Sequence, residues 1–101
     1  MLDFKNIIGF DWDKGNVNKI NTRHNVDCLE VEEMFFNELI LESDIKHSTT
    51  EVRIRALGVT NKGREMVLVF TIRKNRIRPI SARNMDKKER KVYRDQLKKI
   101  T

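Results

Sequence analysis

Arginine stands at positions 64, 73, 76, 78 and 83, and no acidic residue lies between Glu65 and Asp86 to balance it. A guanidinium carries a planar fork of donors that matches phosphate geometry, so phosphate recognition is the first chemistry this spacing suggests. Two side chains nearer the middle of the chain can move protons. His47, whose imidazole titrates near neutral pH when unperturbed, sits in a polar stretch, 44–50, and Glu51 follows directly after it.

The charge is divided unevenly along the chain. Residues 1–51 carry five Lys/Arg against eleven Asp/Glu, a net of −6, whereas residues 52–101 carry sixteen against four, a net of +12. A surface built mainly from the second half is therefore suited to a polyanion, or else is a lysine-rich solvated face. The single cysteine, Cys28, excludes an intramolecular disulfide and a zinc–thiolate cluster. The two histidines lack zinc-ligand company and no glycine-rich phosphate loop is present, so neither a metal nor a nucleotide cofactor is expected. The longest apolar run, Met66 to Phe70, is too short to cross a bilayer, and no signal peptide is visible, so a cytoplasmic location without membrane contact is expected.

The elements that must position these residues are legible from period and punctuation. At 101 residues, a single domain spanning 1–101 is expected. Ile7 to Trp12 suggests a short strand, and Asp13 can cap a helix with Val17, Ile20 and His24 on one face, His24 being a core or capping residue. Asp27 and Glu30 have capping-box spacing for a second helix. Leu39 to Leu41 reads as a strand. From Glu51 the period becomes two, with Val52, Ile54 and Ala56 on one side and Arg53 and Arg55 on the other. Asn61-Lys62-Gly63 and Lys74-Asn75 are turns flanking a central strand, Met66 to Ile72. Pro79 removes a ladder donor from the next strand and predicts an edge or a bulge there. Asp86 and Glu89 open a final basic helix with Tyr93, Leu97 and Ile100 as its stripe. The expected fold is α+β, a largely antiparallel sheet of about four strands with two N-terminal helices and one C-terminal helix.

Several separated pieces match one family in order and spacing. They are Phe10-Asp11-Trp12-Asp13 with Gly15-Asn16, Arg23-His24, Glu30 with Glu32-Glu33 before Phe35, Lys46-His47-Ser48, Glu51 with Arg53, Gly63-Arg64, the run Ile77-Arg78-Pro79-Ile80-Ser81-Ala82-Arg83, and Glu89-Arg90 with Tyr93. Together they resemble the BrnT family of bacterial type II toxins, related in fold to the RelE ribonucleases. Arg23 stands where that family usually has lysine, and Ile20 and Asn25 where it has asparagine and glycine. The resemblance implies a small RelE-like domain acting as a metal-free endoribonuclease on mRNA, free or on the ribosome, and inhibiting translation. It also implies neutralisation by a BrnA-like antitoxin, through which alone the pair contacts operator DNA.

Cleaving RNA without metal requires deprotonation of a 2′-hydroxyl, stabilisation of the phosphorane charge and protonation of the 5′ leaving oxygen. Arg64 and Arg83, at the start of one strand and the end of the next, are expected to meet at one phosphate, unless each pairs with a sheet-edge carboxylate. His47 is the candidate proton carrier, or else His47-Ser48 caps the segment that follows. Glu51 is a second base candidate, or it orients Arg53 or Arg64. Arg53, Arg73 and Arg78 are candidate grips for flanking phosphates, and Lys87, Lys91 and Arg94 form a non-specific docking face for RNA. Tyr93 is expected to pack. The competing reading is a non-catalytic RNA- or ribosome-binding module, or a co-repressor acting with its antitoxin.

Overall fold

The computed structural model describes residues 4–43 and 51–100. After a 3-10 turn at Phe4–Asn6 come β1 (Gly9–Phe10), α1 (Lys14–His24), α2 (Cys28–Met34), β2 (Ile40–Ser43), β3 (Ile54–Val59), β4 (Glu65–Arg73), β5 (Arg76–Asn84) and α3 (Lys87–Ile100). The strands form one sheet in the order β1-β5-β4-β3-β2, parallel between β1 and β5 and antiparallel elsewhere. The expected α+β fold is observed, with β4 central. The sheet has five strands rather than about four, because Gly9 and Phe10 join it as a short parallel edge. Among the described residues no helix is long and apolar enough to cross a membrane.

Each helix starts where a side chain satisfies its orphan amides. At α1 the Asn16 N–H donates to Asp13 Oδ1 at 3.1 Å and the Asp13 N–H donates to Asn16 Oδ1 at 2.8 Å. The helix ends at Asn25, whose φ of 52° is the left-handed stop. At α2 the Asp27 N–H donates to Glu30 Oε1 at 3.1 Å, and at α3 Asp86 and Glu89 exchange bonds of 2.9 and 2.8 Å. His24 departs from expectation, because its side chain is exposed. The chain turns at Asn25, and Val26, 1% exposed, takes the core position instead.

The sheet is packed on both sides. Ile20, Val26, Val31 and Met34 of the first two helices and the segment between them bury Ala56, Met66, Leu68, Phe70, Ile77 and Ala82. Phe10, Phe35 and Phe70 add a run of edge-to-face rings with centroids 5.4 Å apart at each step. On the opposite face Tyr93 and Leu97 of α3 cover Leu57, Val67 and Ile40, with Met85 beside them. Tyr93 packs as expected, and its hydroxyl donates to the Glu38 carbonyl at 2.7 Å.

The β4–β5 hairpin decides which side chain meets which face. Its two-residue turn places Lys74 and Asn75 at φ of 52° and 62°, the left-handed pair that suits a tight antiparallel connection. From the turn, Arg73 pairs with Arg76 and the register holds to Phe70 with Pro79. One step on, Val69 pairs with Ser81, so Ile80 is an extra residue and forms a bulge next to the proline. The edge-or-bulge expectation for Pro79 resolves as a bulge, because β1 occupies the outer side of β5. Asn16 fills the gap with its Nδ2, which donates to the carbonyls of Asp11 at 3.0 Å and Pro79 at 3.1 Å.

Candidate phosphate-binding face

Side chains alternate between sheet faces, so one inserted residue reverses every position beyond it. Had the register at the turn continued, Arg83 would pair with Met66 and face the core under α1 and α2. The bulge at Ile80 pairs it with Val67 instead and turns it to the α3 side. Ala82 takes the core position, fully buried.

Arg64 remains on the first side. Its Nε donates to Asn84 Oδ1 at 2.6 Å, Nη1 donates to the Asn25 carbonyl and to both Glu30 oxygens at 3.0 Å, and Nη2 donates to the His24 carbonyl at 3.0 Å. It thereby satisfies the last carbonyls of α1 and ties that helix to α2 and β5. The expectation that Arg64 and Arg83 meet at one phosphate is therefore corrected. They lie on opposite faces, because the bulge changes the parity of β5 and leaves that of β4 unchanged.

Arg83 has a different companion. Arg83 Nη1 and Nη2 donate to the two Glu89 oxygens at 2.7 and 2.8 Å, and Arg55 on β3 reaches the same carboxylate and also Glu42. Glu89 is 8% exposed and accepts the Asp86 N–H as well. The forked bond from Arg83, then the Asp86 amide and the nearby charges of Arg83 and Arg55, overcome burial and hold its carboxyl at about 2. At neutral pH one buried anion thus fixes two guanidinium groups of separate strands. The sequence assigns neither Arg55 nor Glu89 to the site. Arg55 read as the solvated side of an alternating strand and Glu89 as a helix cap; the signal was that KKER in a basic helix start contains a single acid.

These arginines border a groove of about 300 Å³ with Arg53, Arg55 and Arg83 around it and Val67, Val69, Ile80 and Ser81 beneath. It lies on the α3 side of the sheet and begins at Val67, which Tyr93 of α3 covers. The strip continues toward the hairpin turn. Arg73 Nε and Nη2 donate to Glu51 at 2.8 and 2.6 Å, and Arg78 approaches Asp13 at 2.9 Å and Asp11 at 3.4 Å. The Arg73 fork, with the charges of Arg53 and Arg78 behind it, holds the Glu51 carboxyl below the usual carboxylate range. Glu51 therefore bonds Arg73, a partner the sequence did not suggest, and a carboxylate so stabilised is a weak base at neutral pH.

Arg53, Arg73, Arg78 and Arg83 are thus brought to one side of the sheet, joined by Arg55 and Glu51. Lys87, Lys91 and Arg94 lie apart on exposed sides of α3. Lys91 pairs with Asp95 at 2.9 Å, and Arg94 with Glu65 through bonds of 3.0 and 2.7 Å. His47 lies outside the described residues, four positions before Glu51 in the chain.

A search of curated proteins returns no match to this chain. The family model of the ribonuclease toxin BrnT of type II toxin-antitoxin systems matches residues 12–89. That span starts at Trp12, whose indole N–H donates to Glu32 at 2.9 Å, and ends on Glu89, so it includes every arginine around the groove and the anion that holds two of them. The chain belongs to the BrnT family of type II toxin-antitoxin ribonuclease toxins.

Proposed function

We propose that the chain is a metal-independent endoribonuclease that cleaves mRNA in the cytoplasm and so inhibits translation, and that a BrnA-like antitoxin neutralises it. The observation that carries this reading is the Arg55–Glu89–Arg83 cluster at the rim of the groove, inside the span matched by a ribonuclease family. Guanidinium groups held in place before substrate arrives stabilise developing phosphorane charge without reorganising. Arg83 and Arg55 take that role, and Arg53, Arg73 and Arg78 hold the phosphates to either side. His47 is the proton carrier, and Glu51 serves as a second carrier or as the partner orienting Arg73. Arg64 acts as an architectural residue. Lys87, Lys91 and Arg94 give a docking surface whose affinity falls with salt. A type II system implies an antitoxin partner, and in this reading operator DNA is contacted only through it.

The test is incubation of the purified chain with RNA in EDTA. Cleavage that persists in chelator, and is lost in Arg83→Ala protein of unchanged fold, supports the proposal. Intact RNA under conditions where binding is demonstrated defeats it in favour of a non-catalytic RNA- or ribosome-binding module, or of a co-repressor working with the antitoxin. One observation favours that second reading: Glu51 is held as a stable anion by Arg73, which makes it a poor proton acceptor.

A further inference from the structure

The groove is not lined as a phosphate site alone would be. Its arginines surround Val67, Val69 and Ile80, whose side chains lie beneath the opening. Val67 is only 3% exposed, while Val69 and Ile80 are half-buried and stand outside both hydrophobic clusters that seal the rest of the sheet. A hydrated phosphate gains nothing from an apolar floor, since desolvating it there is unfavourable. A nucleobase does gain, because it has a flat, weakly hydrated face and a polar edge, and guanidinium planes stack on it as well. Ser81 supplies one hydroxyl at the same floor, able both to donate to and to accept from a base edge. The volume of about 300 Å³ is at the lower end of the range for small-molecule pockets and suits one nucleotide. The bulge links the two halves of this arrangement. The residue it inserts, Ile80, is itself part of the apolar floor, and the parity change it causes brings Arg83 to the rim.

We propose that this groove is a base-binding subsite. It takes one unpaired nucleobase on Val69 and Ile80, while the adjoining phosphate lies on Arg83 and Arg55. A base within a duplex has both faces stacked and cannot enter, so the site selects single-stranded RNA. The proposal deepens the ribonuclease reading and rests on it for the phosphate assignment alone.

Methyl-resolved NMR titration of the full chain tests it, with uridine 3′-monophosphate, adenosine 3′-monophosphate and ribose 5-phosphate as probes. The nucleotides are expected to bind about tenfold more tightly than the sugar phosphate, moving the methyl signals of Val69 and Ile80 most. Ile80→Ser should remove most of that advantage and leave ribose 5-phosphate binding as it was. Should this variant fail to fold, the near-isosteric Val69→Thr makes the same comparison. Equal affinity for nucleotides and ribose 5-phosphate, shifts centred elsewhere, or no binding at millimolar concentration would overturn the subsite. Base-dependent binding by a chain that leaves RNA intact would uphold the subsite while defeating the cleavage reading. Cleavage by a chain that binds all three probes alike would do the reverse.

Discussion

On the face packed by α1 and α2, Met66, Leu68, Phe70 and Ala82 are sealed from solvent, and Arg64 has Nε, Nη1 and Nη2 all bonded to the surrounding chain. On the other face α3 stops short, and Arg83, Arg55 and Arg53 edge a groove open to solvent. Both Arg64 and Arg83 grip a glutamate near the start of a helix. Glu30 and Arg64 nevertheless close a structure, whereas Glu89 steadies two cations beside an opening. Completeness of cover, more than residue type, separates an arginine that holds the fold from one that is available to substrate.

The largest effect expected from this contrast is on catalysis. Arg83→Ala should reduce RNA cleavage about 100- to 1,000-fold, as loss of a preorganised charge stabiliser does, and should also lower the urea midpoint, because Glu89 keeps only Arg55 of its two guanidinium partners. Arg64→Ala should cost stability without a matching loss of catalysis, about 2–4 kcal/mol in a denaturation series, because it removes the donor shared by Glu30 and two helix-terminal carbonyls. Its cleavage rate per folded molecule should stay within a few-fold of the parent. If the two variants behave alike, the division between faces is wrong.

Acid stability sharpens the same comparison. Glu89 is lowered from 4.5 to about 2 on folding, so its contribution is complete above pH 4.5 and disappears as pH falls through 2. The corresponding figure is about 3 kcal/mol, read as a drop in melting temperature across that window, and Glu89→Gln should flatten the drop. Smaller still is the tolerance of the sealed face. A Cβ on Gly58 would stand 2.9 Å from Leu39 Cδ1 and 3.1 Å from Met34 Cε, so Gly58→Ala should cost about 1–2 kcal/mol by overpacking. The exposed Lys91–Asp95 pair marks the lower end: Lys91→Ala should change stability by less than about 0.5 kcal/mol and reduce the salt dependence of RNA binding by about one unit of slope.

Much of this architecture could be read from the chain itself. Capping residues at Asp13, Asp27 and Asp86, the turns at Asn61–Gly63 and Lys74-Asn75, and the period-two run from Ile54 are local signals, and the helices and antiparallel strands follow them. Pro79 also pointed to an edge or a bulge, and the bulge is what forms. What local signals lack is the number of residues that the bulge inserts and the place where it does so. That count sets the parity of β5, so the convergence of Arg83 with Arg64 was inferred for the wrong face. The pairing of Arg55 with Glu89 is not legible in the sequence for a related reason: 34 positions separate them, and only sheet and helix packing brings them together. His47 falls in the segment 44–50, outside the described residues, and remains a proposal from residue chemistry.

The two-residue strand β1 has a consequence for the order in which the molecule assembles. Strands β3, β4 and β5 are consecutive hairpins joined by short turns, and such contacts form early at small entropic cost. Pairing of Gly9 with Arg76 has to close a loop of 67 residues for two ladder positions, so β1 should dock late in folding. Asp11 and Asp13 arrive with it and reach Arg78 only then. The arginine side of the sheet is thus built first and receives these acidic partners afterwards. A chain slowed at that last step, for instance by Gly9→Val at its φ of 151°, should accumulate with an excess of uncompensated positive charge. Refolding kinetics followed at low and high salt would expose that intermediate.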